Sequence, residues 1–544
     1  MHKRLGRLLP WALSIIIAFG AIVLALRGVA ALWSGAILAL AVAALGLRDW
    51  VQRGHAVQRN YPVIGHVRWL FESLRPALRQ YLFEADEEAA PFSRAQRTLV
   101  YRRAKGEAGD HPFGTLIDVY RDGYEFINHS TRPVPVADPT GFRVTIGGND
   151  CRQPYSASIL NISAMSFGSL SANAIRALNR GAARGGFYHD TGEGSISPYH
   201  REGGDLVWEI GSGYFGCRTD DGRFDPERFA EQAAAPQVRM IEIKLSQGAK
   251  PGHGGILPAA KVSAEIAATR GVPLGRDCIS PACHAAFSTP LELMRFIATL
   301  RDLSGGKPVG FKLCIGHPWE FMGMVKAMLE TGIAPDFIVV DGAEGGTGAA
   351  PVEFTDHIGA PMREGLLFVH NVLVGAGLRQ KIKVGAAGQV ISAFDIASAL
   401  AIGADWVNSA RAFMFALGCI QSLACNTNRC PTGVATQDPF RQRGLAVPDK
   451  ADRVYRYHAN TLVALAEMIA AAGLRHPDAL GPQHLVRRVS ATEIRQFAQL
   501  HRFLEPGSLL DGTLRGGTLR GGFYQTSWDM ASASSFDGAA SVVA

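Results

Sequence analysis

From about residue 155 the chain repeats one unit: a short apolar run that stops at a Gly or Ser loop, then a longer stretch with helical periodicity. The strand-like runs are 159–164, 187–191, 239–245, 277–280, 308–313, 336–340, 381–385 and 405–408. Helical patterns fall at 171–184, 259–269, 290–303, 319–330, 365–378 and 393–402. Parallel neighbours need crossover connections, so strands alternating with helices predict an α/β chain folded as a (β/α)8 TIM barrel of roughly 250 residues. An open doubly wound sheet is the alternative. The G-x-G-x-x-G match at Gly211, Gly213 and Gly216 would favour it, but the segment before the match reads as helical, so the match is discounted. The expected layout is a two-helix transmembrane anchor (1–59), a linker or cover (60–150) and the barrel with a cysteine loop (151–440). A helical segment packing on the barrel (441–503) and a Gly/Ser-rich flexible tail (504–544) complete it.

In such barrels the reacting groups sit in the loops after the strands, and a phosphate is often held after the seventh and eighth. The sixth run is followed by Gly345, Gly346, Thr347 and Gly348, the seventh ends near Gly388, and the eighth leads to Ala410 and Arg411. Glycines let backbone N–H groups approach an anion, and Arg411 adds charge. One glycine-rich loop is an ordinary turn; three in successive barrel positions predict a phosphate-bearing cofactor. Lys244 ends an apolar strand, so it points into the mouth, and Gln247 and Lys250 follow in a loop stiffened by Pro251. Two fixed cations suit a dianionic substrate and the negative charge of a reduced flavin. Glu193, between Gly192 and Gly194, offers a carboxylate for acid/base work or for orienting a substrate. His284 stands alone, as structural histidines usually do.

Three of the eight cysteines crowd into one loop: Cys419, Cys425 and Cys430 at C-x5-C-x4-C, with Pro431 directly after. Soft thiolates converging this way suit an iron–sulfur centre, of a type that three ligands leave open. Zinc prefers C-x2-4-C pairs and a fourth ligand. Three buried structural thiols are the bland alternative.

The formal charge is +7, yet residues 1–59 carry Lys3, Arg4, Arg7, Arg27, Arg48, Arg53 and Arg59 against Asp49 alone. The basic excess therefore belongs to the N-terminus, which removes the case for nucleic acid as a partner. Residues 8–26 and 29–47 are two uncharged apolar runs of 19, each spanning about 28 Å, close to a hydrocarbon core. Basic flanks put both ends on the cytoplasmic side of an inner membrane, with the catalytic body in the cytoplasm. Residues 59–105 mix aromatics and arginines at helical spacing. That pattern is the packed face of a helix, or an interfacial one anchored by Trp69, Phe71, Tyr81 and Phe83.

Taken together, these motifs closely resemble the synthase domain of glutamate synthase large chains, which carry FMN and a [3Fe-4S] cluster. The matching stretches are SAMSFGSLS at 163–171, DTGEG at 190–194, KLSQGAKPGHGG at 244–255, GGTGAAP at 345–351, and the cysteine loop through Pro439; the likeness spans about 110–485. The resemblance implies Cys419, Cys425 and Cys430 as cluster ligands. It implies FMN contacts from Ser163, Ala164, Met165, Ser166, Lys244, Gly345, Gly346, Thr347, Gly348, Gly388, Ala410 and Arg411. It implies a 2-oxoglutarate/2-iminoglutarate site of Glu193, Lys244, Gln247 and Lys250, where hydride transfer yields L-glutamate. Family members also carry a glutamine amidotransferase domain and a C-terminal β-helix, and no such sequence, nor an NADPH-binding domain, is found here. Free ammonia or a separate amidotransferase subunit, and a separate electron donor, are the expected suppliers. Another 2-oxo acid, an amine or a 2-hydroxy acid fits the same cofactors, and a non-catalytic electron-relay subunit is the reading from another class.

Overall fold

The computed structural model describes residues 8–538 apart from 53, 86, 87, 89, 108, 110, 111, 149, 349, 513 and 515–518. Lys3, Arg4, Arg7 and Arg53, used above to orient the apolar runs, lie outside the described residues. The chain forms two compact units, Met1–Ala89 and Ala90–Ala544.

In the first unit the two uncharged runs fold as helices Leu9–Leu26 and Trp33–Val51, joined through Arg27 and Gly28, whose φ is +105°. Both helices are long and apolar enough to cross a membrane. They meet along a seam of small residues, with Ala18, Ala25, Ala36 and Ala39 buried while Ile16, Ile17, Phe19 and Leu38 face outward. Trp11 closes the seam: its indole N–H donates to the Ala43 carbonyl at 2.9 Å. A Cβ on Gly46 would clash with the Trp11 ring, so only glycine lets the helices approach there. Near the end of the second helix the buried Asp49 accepts the Val63 N–H at 3.0 Å and faces His66 Nε2 at 2.9 Å. That clasp starts the helix Gly65–Leu78.

The second unit is built on a closed barrel of eight parallel strands. We label them β1 (Leu160–Ile162), β2 (His189–Asp190), β3 (Leu206–Ile210), β4 (Val238–Lys244), β5 (Val309–Leu313), β6 (Phe337–Asp341), β7 (Lys383–Ala387) and β8 (Trp406–Ser409). Val407 of β8 pairs with Leu160 of β1 and closes the ring. Two expectations about these strands fail. Residues 277–280 are not a barrel strand: Cys278–Ile279 pairs antiparallel with Ile256–Leu257 in an excursion between β4 and β5. The third strand is Leu206–Ile210, read above as helical; Glu209 interrupts its apolar run. The Gly211–Gly216 glycines therefore do follow a strand, but the next helix begins only at Pro226, so they open no dinucleotide site.

Alternate residues of each strand face inward. The lowest layer is apolar: Tyr188, Val207, Met240, Phe337, Val339 and Trp406 pack against Ile146, Tyr155 and Ala157 of the hairpin Arg143–Ile146/Tyr155–Ser158, which plugs that end. The next layer up is charged, with Asp190, Glu209, Glu242 and Lys312 all buried. Outside the ring run the helices Ala172–Gly185, Pro290–Leu303, Pro318–Thr331, Met362–Gly375 and Ala393–Ala401, with Val447–Ala471 packed on the first. The segment expected to be helical through residue 503 ends instead in strands Leu485–Ser490 and Glu493–Gln496, the first pairing antiparallel with both the second and Glu125–Ile127. The expected flexible tail is likewise corrected over its described part, residues 513, 515–518 and 539–544 lying outside the described residues. Leu519–Met530 is a helix; Tyr524 and Trp528 are buried, the Asn371 side-chain amide donates to the Tyr524 hydroxyl at 2.8 Å, and Lys326 donates to the Ala531 carbonyl at 2.9 Å. Two aromatic rings with apolar partners outweigh the glycine content that suggested mobility.

Candidate active site at the barrel mouth

Strand ends from all round the ring open onto one cavity of about 330 Å³, within the size range of cofactor and substrate sites. Ser163, Ala164, Met165 and Ser166 line it after β1, Glu193 after β2, and Lys244, Gln247 and Lys250 at and after β4. Gly345, Gly346, Thr347 and Gly348 enter after β6, Gly388 after β7, and Ala410 and Arg411 after β8. Cys425 lines the same cavity; Cys419 and Cys430 do not.

The charged side of the cavity is tightly coupled. Lys244 Nζ lies 3.3 Å from Glu193 Oε2 and donates to Gln247 Oε1 at 3.3 Å. Ser280 adds a hydroxyl donor to Glu193 at 3.4 Å. Burial works against ionising Glu193, but the cations Lys244, Arg270 and Lys250 outweigh it and hold the carboxyl below its ordinary range. Lys250 is itself buried, and desolvation brings its ammonium below the ordinary lysine range, with Glu193 pulling the other way. Glu193 thus stands as a fixed anion among cations. His284 is a brace: one ring nitrogen faces the Lys244 carbonyl at 2.9 Å, the other the Tyr214 hydroxyl at 3.1 Å, and burial pushes its pKa down to about 4.

The opposite side is backbone and glycine. Arg411 lies over the Phe92 ring at 4.5 Å and donates to the Glu344 carbonyl at 2.6 Å; burial lowers its pKa to about 10. A Cβ on Gly346 would come within 3.1 Å of the Arg411 guanidinium, and one on Gly388 within 2.8 Å of the Met362 Cβ. Side chains there would fill the cradle and displace the arginine. Asp341 accepts the Gly248 N–H at 2.9 Å, which ties the β6 loop to the cation loop after β4.

Below lies the charged layer. Lys312 is paired with Glu209 and lies 3.4 Å from Glu242. Oxygens of Asp190, Glu209 and Glu242 come within 4.8 Å of one another. Burial, then the neighbouring Glu209, raises the Asp190 pKa to about 7.

The cysteine loop is shaped by left-handed residues: Gln421, Leu423 and Asn428 have φ of 56°, 54° and 60°. Asn428 is braced by the Gln437 N–H at 2.7 Å and the Thr436 hydroxyl. Burial pushes the Cys419 thiol up to about 12, and the other two thiols add to the shift. Burial also acts on Cys430, but the Thr432 hydroxyl and the N–H groups of Ala435, Thr432 and Val434 offset it and bring that thiol below its ordinary value. A ring of donors around a buried sulfur is the environment a ligating thiolate needs.

Several residues of the site were not anticipated. Arg270 donates to the Phe167 carbonyl at 3.0 Å and to Ser166 Oγ at 3.3 Å, and lines the cavity. Lys261 donates to the Ser169 carbonyl at 2.8 Å, and burial brings its pKa to about 8. Lys312 carried the same signal as Lys244, a lysine inside an apolar strand. Arg270 and Lys261 carried none, because their placement depends on the path of the excursion.

Residues 144–475 match the family described as "Conserved region in glutamate synthase". The chain is 38% identical over 499 residues to the glutamate synthase large subunit-like protein YerD of Bacillus subtilis, covering 84% of this chain and 95% of that protein. It is 35% identical over 339 residues to the archaeal-type glutamate synthase [NADPH] of Thermotoga maritima, covering 61% of this chain and 62% of that one. Among solved structures, a mutant flavocytochrome b2 with pyruvate bound aligns at 14% identity and a TM-score of 0.40 over 83% of this chain and 92% of that one.

Proposed function

The chain belongs to the glutamate synthase family, and from that premise we propose that it is an FMN- and iron–sulfur-dependent oxidoreductase that reduces 2-iminoglutarate to L-glutamate. The imine arises from 2-oxoglutarate and ammonia, the latter free or delivered by a separate amidotransferase subunit; a separate subunit donates electrons. The two N-terminal apolar helices anchor the protein in the inner membrane, with the barrel in the cytoplasm. One observation carries the reading: Glu193, Lys244, Gln247 and Lys250 converge in the same cavity as the glycine loops and Cys425.

The residues fit both groups. The glycine loops with Arg411 form a cradle that added side chains would fill, which suits the FMN phosphate. Ser163–Ser166 and Lys244 would line the ring, and Cys419, Cys425 and Cys430 would hold a [3Fe-4S] cluster. When bound, FMN supplies the hydride and the cluster supplies the electrons that restore it.

The protein's own residues do the rest. Lys250 and Gln247 bind the carboxylates of the substrate, and Lys244 fixes Gln247 and Glu193 in place. Glu193 is an anion at neutral pH, so it orients and stabilises the positively charged iminium nitrogen and is not the proton donor. The iminium carbon gains the hydride while the nitrogen keeps its proton, giving the amino group of glutamate. Anaerobic stopped-flow mixing of photoreduced protein with 2-oxoglutarate and ammonia tests this. Flavin reoxidation with stoichiometric glutamate is expected; a flavin that stays reduced overturns the substrate assignment.

A further inference from the structure

We propose that the helix Gly65–Leu78 lies in the headgroup layer of an anionic phospholipid bilayer, its apolar stripe toward the acyl chains and its arginines toward lipid phosphates. The inference rests on the reading of the two apolar helices as membrane-spanning. Val67, Leu70, Phe71 and Leu74 recur at i, i+3, i+4 and i+7, which places them on one face. They are 46%, 56%, 61% and 43% exposed, so the packed-face expectation is not met by this helix, although Arg94–Lys105 does bury Val100 and Ala104. Leu82 and Phe83 continue the apolar surface beyond the helix at 68% and 77%. Contiguous large apolar side chains of this kind mark a surface that meets another phase or partner.

Two further observations identify the occupant. The first is position. Asp49 sits near the end of the apolar helix Trp33–Val51, whose 19 residues reach about 28 Å. Its carboxylate therefore stands where hydrocarbon gives way to headgroups. Through Val63 N–H and His66 Nε2, Asp49 ties the start of the next helix to that depth. The second is charge. Arg68, Arg75 and Arg79 border the stripe, and of the acids on this helix only Glu72 is near, 3.6 Å from Arg68. Long arginine stems can lie along apolar surface while their guanidiniums reach phosphate. A second copy packed face to face would set the same guanidiniums against one another. Trp69, named above as an anchor, lies off the stripe and packs edge-on against His55 at 5.5 Å.

The test uses the full chain in nanodiscs with a fluorescent noncanonical amino acid at position 71 or 74, quenched by lipids brominated near the headgroup or deep in the acyl chain. The same probe at position 17, on the outward face of the first apolar helix, reports the anchor separately. Expected are deep quenching at 17 and shallow quenching at 71 and 74. Quenching at 71 should fall at least twofold when phosphatidylglycerol is replaced by phosphatidylcholine, or in the R68Q/R75Q/R79Q variant. Quenching at 17 without quenching at 71 and 74 overturns the proposal and leaves the anchor standing. Equal quenching at 71 in neutral and anionic discs overturns the anionic assignment. No quenching at 17 removes the anchor reading and this proposal with it.

Discussion

Lys250 has given up much of its hydration to sit near Glu193, which offsets part of that cost; an anion in the cavity would offset more of it. A charge-assisted hydrogen bond of this kind is worth ~1.5–3 kcal/mol. Lys250→Met should therefore weaken 2-oxoglutarate binding about 10- to 100-fold, read by flavin spectral titration, with flavin content unchanged. Cys430 is the thiol whose surroundings most favour the thiolate. Cys430→Ser should lose the iron signal while retaining flavin, checked by iron analysis and EPR; unchanged iron would remove it from the ligand set. Asp190 makes a prediction about pH. Its folded pKa of about 7 is raised above the ordinary 3.8 by burial and Glu209, so the folded state binds the extra proton between those values. Its contribution to stability is complete below about pH 4 and is lost as the pH rises through about 7. Asp190→Asn should flatten that decline between pH 4 and 7 in denaturant titrations; an unchanged slope would sink the assignment. Lys244 and the three clustered cysteines were legible in the sequence because a lysine ending an apolar strand and cysteines crowded in one loop are anomalies that local pattern exposes; Asp190 was not. Arg270 and Lys261 were not, since only the folded excursion brings them to the mouth.

Among elements, the clearest junction is that of the helix Pro290–Leu303 with β5 and β6. Arg301 donates twice to Asp336 Oδ2, at 3.1 and 3.0 Å, and Asp336 also accepts the N–H of Gly148 and of Val309. Arg301→Met leaves a buried carboxylate without its counter-ion and should cost ~3–5 kcal/mol, measured as a lower denaturation midpoint. The barrel itself is legible from alternation, and seven of its strands overlap the strand-like runs of the sequence. The remaining one, β3 (Leu206–Ile210), escaped because Glu209 belongs to the charged layer inside the ring. An inward acid looks like a polar face when only local periodicity is considered. Residues 277–280 misled for the converse reason: a short apolar run has no signal for parallel or antiparallel pairing.

For the whole molecule, the tail was the least legible part. Glycine and serine content predicted mobility, but Trp528 packs under the Lys326 ammonium at 5.0 Å and Tyr524 stacks with Phe368 at 5.9 Å. Trp528→Ala should cost about 3 kcal/mol and lower the thermal midpoint of the barrel; a midpoint unchanged by the substitution would show that the tail adds nothing. The mouth, too, divides by origin along the chain. The excursion between β4 and β5 supplies Gln247, Lys250, Lys261 and Arg270, while the glycine loops come after β6, β7 and β8. Apart from Ser163–Ser166 after β1 and Glu193 after β2, the cation loop and the glycine cradle are therefore written in separate passages of the sequence. On the proposed reading, a lineage can redraft the first passage to accept a new metabolite and leave the second intact, so substrate preference and cofactor dependence are free to diverge at different evolutionary tempos.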